Sequence, residues 1–442
     1  MTKRITSEEE IISAQERPVK KSLAIPAFCN CAFFFFLGGL THVLEPSEGG
    51  GGNTWLYPFL ALTLQVGSFI ILMRPGRRER FINLLSNNKS LVLAVFIIAI
   101  SPLWSIDPML STKKIIALIG TTCVAILIYI ENEKNGVIQF ITKNLAIFTL
   151  LSIALAIFLP ALGTHPTGRF AGQWRGLVGF KNQAAWLACL FLLFLAGTEK
   201  AGWIGRFRHV LFAAGLLMLI RTGSATGVAA LAFAGISYLS VTAFRTARSL
   251  RVFMVTAVAF AVLALLSDPQ GYFEYVLEML GRDSSLTGRT SIWKALVPII
   301  DDNLWLGVGY LAFWDHAATY FGNTSWMADI GHAHNAYIEI LLDVGIIGLI
   351  TQCLFIFSRI YYLFVLVLRG DKVSGLLLCV MLTFSVIGVA GALFFRANTG
   401  IWIITVIITC YVADSNERLR RNQVGRALLR ETVWLKSPSV HG

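Results

Sequence analysis

Charge is scarce in this sequence. Of 442 residues, 14% are Asp, Glu, Lys or Arg and 56% are apolar, whereas soluble domains carry about 25% charged residues. That shortage excludes a soluble globular domain and leaves an integral membrane protein. Cysteine is sparse as well, and all seven (Cys29, Cys31, Cys123, Cys189, Cys353, Cys379 and Cys410) lie inside apolar runs. This excludes a disulfide framework in the loops and a Cys-rich zinc site, so the thiols read as small core hydrophobes. Internal repeats are lacking. A small-residue cleavage site is lacking after the first apolar run, which begins at Ser22, so that run reads as a retained helix and not a removed leader.

What is present is a series of apolar runs separated by basic clusters. A helix needs about 20 apolar residues to span a bilayer. The runs then predict an all-α polytopic protein with about twelve transmembrane helices, near 22–44, 54–73, 90–105, 113–130, 140–162, 183–198, 209–220, 225–243, 252–267, 336–358, 373–395 and 400–413. Residues 1–21 form a polar N-terminal tail, 22–413 the membrane domain and 414–442 a C-terminal tail. The net charge of +12 does not point to nucleic acid, because its distribution is that of an oriented membrane protein. With the N-terminus in the cytoplasm, 27 of the 37 Lys and Arg residues fall on the cytoplasmic side. An even number of spans returns the C-terminus to the same side. The outward face then holds the 163–182 loop, the turn from Arg221 to Gly227 and a large loop over 268–335.

Basic residues on the outward face have no topological use, so their placement carries information. Arg169, Arg175 and Lys181 lie in GRFAGQWRGLVGFKN, Arg221 opens RTGSATG, and Arg282 and Arg289 sit in the large loop. Any one such residue alone reads better as a lipid-headgroup anchor or a member of a structural ion pair. Together they suggest a cationic pocket for a phosphorylated substrate, since guanidinium groups match phosphate geometry. Arg289 also opens a short helix expected over 291–300, whose Ile292, Trp293, Leu296, Val297 and Ile300 make an apolar face. Thr287 or Thr290 would cap it, leaving Arg289 beside free backbone N–H groups, a natural anion site.

His332 and His334 are two residues apart and share a face if the chain there is extended. With His316, Asp315 and Asp329 nearby a metal site is conceivable, but the spacing matches no metal motif and we expect neither metal nor cofactor. A histidine at a membrane-surface mouth beside arginines reads better as a general base, against the alternative of a hydrogen-bonded structural histidine. Glu339 and Asp343 follow one helical turn apart, where an unpaired carboxylate is costly; one of them is expected to pair with an outward arginine. The twelve aromatics of 269–337 suit an interfacial belt or stacking platforms for sugar rings. Gly307 and Gly309 lack the partners of a phosphate loop.

The combination RTSIW, GVGY, HAHNAYIE and DVGIIG, with WRGLVGFKN before it, resembles the bacterial O-antigen ligase/polymerase family over roughly 165–400. Within that family it looks most like exopolysaccharide polymerases of the succinoglycan type. The resemblance implies a helical bundle of the GT-C type with a large periplasmic loop, in the bacterial inner membrane. It implies transfer of a glycan from a polyprenyl pyrophosphate carrier to a hydroxyl of the next lipid-linked repeat unit, or, in the ligases, to lipid A–core. Carried over residue by residue, it makes Arg289, Arg175 and His334 catalytic, with Arg169 a rival for Arg175 because the spacing to Asn182 differs from that of many members. Arg169, Lys181, Arg221, Arg282, His332 and Asn335 would bind substrate. The implied partners are the lipid-linked oligosaccharide, membrane lipid, a flippase and a chain-length regulator. A transporter of lipid-linked sugar is the alternative from another class, disfavoured because the span centres hold almost no charge.

Overall fold

The structure, a computed structural model, describes residues 24–39, 55–246, 289–322, 330–389, 391 and 394–436, with backbone alone at 135, 244–246 and 420–436. The expected span at 252–267, Arg282 and Asp329 lie outside the described residues. The principal helices are α1 Ala24–Phe36, α2 Leu56–Leu72, α3 Arg77–Ser86, α4 Lys89–Ala99, α5 Pro108–Lys134, α6 Gly136–Phe158, α7 Lys181–Gly197, α8 Arg208–Arg221, α9 Ala225–Thr246, α10 Arg289–Asp302, α11 Ala336–Leu368, α12 Lys372–Gly388 and α13 Gly400–Lys436. Among the described residues the only β pairing is an isolated bridge between Thr164 and Trp174.

Among the described residues four helices are long and apolar enough to cross a membrane, α5, α6, α9 and α11, and α2 with α3 would make a fifth if counted as one span despite a 101° bend. The larger expected count of about twelve depends on the shorter apolar helices, among them α1, α4, α7 and α12. Such short elements span only with tilt, local thinning or a partner.

Two helices are apolar around their whole circumference and lie inside the bundle. In α7 the run from Leu187 to Leu195 is buried, and in α13 the run from Ile401 to Ala413 is buried. α2 and α13 pack along α5 and α6, and α9, α11 and α12 close the other side. The outer helices expose large apolar side chains, Phe59, Val66 and Ile70 on α2 and Leu354 and Phe357 on α11. Faces of this kind are stable in lipid and costly in water.

Ion pairs sort the connecting segments into two ends. Arg77 pairs with Glu131 at 2.5 Å and Lys134 with Asp371 at 2.8 Å. His316 meets Asp107 at 3.1 Å and Arg396 meets Glu339 at 2.5 Å. The first two pairs join segments assigned to the cytoplasm by charge bias, and the second two join segments assigned outward.

The glycines of the large loop serve a helix break. α11 is interrupted at Gly345, whose φ of 66° is left-handed. The backbone groups freed there are met by the segment after α10. Ile346 N donates to Leu304 O at 2.8 Å, while Val308 N and Gly309 N donate to Leu342 O and Asp343 O, each at 2.9 Å. Irregular backbone in a span persists only when its polar groups are satisfied in this way. A Cβ on Gly345 would sit 2.3 Å from the Trp305 carbonyl, and one on Gly307 would sit 2.6 Å from Leu342 O. The same segment is fastened to the start of α5 by Ser111 Oγ donating to Tyr310 O at 3.0 Å.

Candidate active site

The His-x-His-Asn sequence is held by its middle and its end. Asn335 caps α11, its Oδ1 accepting from Tyr337 N at 2.9 Å and Ile338 N at 3.2 Å. The cap occupies the side-chain oxygen of a residue expected to touch substrate. Ala333, between the two histidines, has both backbone groups clamped. Its N–H donates to Glu339 Oε2 at 2.7 Å, and its carbonyl accepts from Trp293 Nε1 at 2.9 Å. His334 consequently sits at φ 53°, a conformation uncommon for a residue with a Cβ and one that such surroundings must enforce. The rings of His332 and His334 lie side by side, 4.0 Å between centroids.

Trp293 brings α10 to this loop. It is one turn beyond Arg289, which opens the helix. The helix is longer than the expected 291–300, and its buried face is Ile292 and Leu296, packed with Val308, Phe313, Ala333 and Leu342. Val297, expected on that face, is exposed; Ile299 packs there in its place, since positions 292, 296 and 299 follow the i, i+4, i+7 stripe of a helix.

Arg289 acts on both imidazoles. Burial, followed by the Arg289 charge, brings His334 down to about 4. Burial, His334, Arg396 and Arg289 together bring His332 down to about 3. Both rings are therefore neutral near pH 7, the state in which an imidazole can accept a proton.

Glu339 ties the site together. Its side chain is 4% exposed, and its Oε1 accepts from Arg396 at 2.5 Å and Trp314 Nε1 at 2.9 Å. Sequence reasoning placed a carboxylate here against an outward arginine but did not single out Arg396, which follows α12 in LFFRAN. Asp343, its equal in the sequence, has no ion pair among the described residues. Asp343 and Gln352 line one small cavity with Glu339 and Arg396, and Asp343 Oδ1 and Gln352 Oε1 each lack a hydrogen-bond partner. Glu339→Gln keeps the shape but strands the Arg396 charge, and breaking a buried pair costs about 3 kcal/mol. The variant should unfold at lower temperature than the parent in a thermal melt in detergent and lose transfer activity as the Ala333 clamp slackens. A melt like that of the parent would show that the pair holds nothing.

Arg169, Arg175 and Arg221 lie where the 163–182 loop meets the turn after α8. Arg175 donates through Nε to Leu162 O at 3.1 Å, with NH2 3.5 Å from Ala161 O, so much of its fork is turned to backbone. Lys181 Nζ lies 3.4 Å from Gly223 O and 4.2 Å from the centre of the Phe170 ring. Arg221 stacks over Trp174 at 5.1 Å, and Arg169 is exposed. His165, which sequence reasoning passed over, accepts from Lys181 N at 3.3 Å. Burial, then Arg175 and Lys181, push its pKa down. The charges acting on His332 and His334 come from Arg289 and Arg396 and not from Arg175 or Lys181. A steric link between the groups does exist, because Trp186 of α7 packs against Gly391, five residues before Arg396.

His316 is drawn away from His332 and His334 by Asp107, the residue that caps α5. Among the described residues, no three His, Cys, Asp or Glu side chains converge as metal ligands would.

Comparison with known proteins meets this geometry in the right segment. Residues 209–353, which run from α8 through the His-x-His-Asn sequence to the break in α11, match the family model described as O-antigen ligase. The exopolysaccharide production protein ExoQ of Rhizobium meliloti is 26% identical over 325 residues, covering 68% of this chain and 69% of that protein. Over these residues the chain is similar to the O-antigen ligase family and to an exopolysaccharide production protein, as the resemblance of its motifs implies.

Proposed function

We propose that this protein is an inner-membrane polysaccharide polymerase of the metal-independent, inverting kind, with both termini in the cytoplasm and the histidine loop facing the periplasm. The growing chain on its polyprenyl pyrophosphate is the donor, and the next lipid-linked repeat unit supplies the acceptor hydroxyl. The observation that carries this reading is the His332–Ala333–His334 loop, clamped at Ala333 by Glu339 and by Trp293, one helical turn from Arg289.

In the reaction the acceptor oxygen bonds to the anomeric carbon as the bond from that carbon to the phosphate oxygen breaks. His334 takes the hydroxyl proton, and the bonding electrons leave with the pyrophosphate. Arg289 neutralises the charge that grows on the leaving group, with Arg175 in the same role if the two arginine groups meet around the lipid. Arg169, Lys181, Arg221, Arg282 and His332 remain the substrate-binding set. A single displacement inverts the anomeric centre, and a pyrophosphate leaves without needing an acid. The ExoQ relative, described as an exopolysaccharide production protein, favours polymerisation over ligation to lipid A–core or protein. A flippase delivering the repeat units and a chain-length regulator are the expected partners.

A second reading has one observation behind it. The broken α11, with the buried Asp343 beside the break, is a feature that transporters use for their substrate sites. A deletion strain separates the readings. Loss of a polymerase leaves single repeat units on the lipid carrier at the periplasmic face, without long polymer. Long carrier-linked chains would instead indicate a ligase, and units held at the cytoplasmic face a transporter.

A further inference from the structure

A second charged cavity lies at the other end of the bundle. It encloses about 560 Å³ and is walled by Lys89 and Ser90 of α4, Arg359 of α11, Arg369 just beyond it, and Asn416 and Glu417 of α13. Arg359 lies 23 residues past Ala336 (359 − 336), about 35 Å of helix rise from the start of α11.

Arg359 is the unusual feature. It is 5% exposed, yet each of its hydrogen-bond partners is neutral. Its NH1 donates to Asn88 Oδ1 at 2.8 Å, NH2 to Ser90 Oγ at 2.9 Å and Nε to Ser358 Oγ at 3.3 Å. The rings of Phe355 and Tyr362 flank it at 5.7 and 5.6 Å. A buried charge normally meets an opposite one, and none of the ion pairs among the described residues includes Arg359. Lys89 and Arg369 stand exposed on the same cavity, also without ion pairs among the described residues. Among the described residues the lining sets one acid against these three cations, Glu417, whose Oε2 accepts from Asn83 and lies 3.5 Å from Asn87.

We propose that this cavity binds an anionic phosphoryl group, carried by a phospholipid headgroup or by a free phosphate ester. The arginine is preset to meet phosphate oxygens, and the eleven-residue α4 opens onto the cavity with its N-terminal end. Basic pockets between membrane helices take anionic headgroups in this manner.

The test uses the purified full chain in detergent, with binding of labelled phosphatidylglycerol compared with phosphatidylcholine and with inorganic phosphate as competitor. Lys89→Gln with Arg369→Gln changes two exposed residues and leaves the fold intact. Each charge near a membrane surface contributes about fivefold in affinity, so phosphatidylglycerol retention should fall about thirtyfold in the double variant. Arg289→Ala, at the opposite end, should leave it unchanged. Preference for phosphatidylglycerol with little displacement by millimolar phosphate identifies a lipid headgroup; ready displacement by phosphate, or phosphate binding without lipid preference, identifies a free ester. Equal retention of both lipids without phosphate binding overturns the proposal, as does a double variant that binds like the parent or loss of binding in Arg289→Ala.

Discussion

Arg289→Lys should lower glycan transfer by about a hundredfold, and Arg289→Ala by up to about a thousandfold, the range seen when one preorganised donor to a developing oxyanion is removed. Lysine preserves the charge but not the planar fork that grips two phosphate oxygens at once. The position is built for that grip: Arg289 opens α10, and Trp293, one turn on, is bonded to the carbonyl of the residue between the two histidines. The lysine variant should therefore fold and still fail, in transfer assays on purified protein whose melting temperature matches the parent. Full activity in the lysine variant would reduce Arg289 to a point charge. The same measurements on Arg175→Ala decide whether the second arginine group takes part. Its fork is already engaged with Leu162 and Ala161, so a smaller loss there would place the pyrophosphate at Arg289.

His334→Ala should lower turnover by about 10²–10⁴, the worth of a positioned general base, with donor binding little changed. The pH profile gives a sharper expectation. Burial and Arg289 hold the free imidazole down to about 4, so it is neutral above that value and gains a proton below it. The acid limb of kcat/KM, which reports the free enzyme, should fall near pH 4 and not near 6.5, the ordinary histidine value. Bound pyrophosphate adds negative charge beside the ring and favours the protonated form. The acid limb of kcat should accordingly lie at higher pH than that of kcat/KM. His332→Ala should be milder, because that ring stands beside His334 as support. A His334→Ala protein that transfers like the parent would make the histidine structural.

The helical nature of the chain was legible because long apolar runs admit little else in a bilayer. The number of spans was less so. Helices such as α4, with eleven residues, read as full spans when apolar neighbours outside the helix are counted with it. Candidate site residues could be named where one residue type carries one chemistry. Arg289 and His334 stood out by type and place, and the Arg289 charge helps hold the His334 pKa down. What stayed hidden was pairing across long separations. Arg396 reaches Glu339 from 57 positions away, and Trp314 from 25, and no spacing rule connects such residues. The use of the glycine pair at 307 and 309, docking against the break at Gly345, needs the fold to be seen. Beside that break stands the buried Asp343, a carboxylate inside a span, whereas the argument from sequence against transport had rested on span centres almost free of charge.

The measurement that bears most directly on the central claim is chain growth by the purified protein in lipid vesicles, given only the lipid-linked repeat unit and excess EDTA. The account predicts polymer of increasing length, one polyprenyl pyrophosphate released per bond formed, and an inverted anomeric linkage in the product. Growth that stops in EDTA and resumes with a divalent ion, or repeat units that cross the vesicle membrane without being joined, would contradict it.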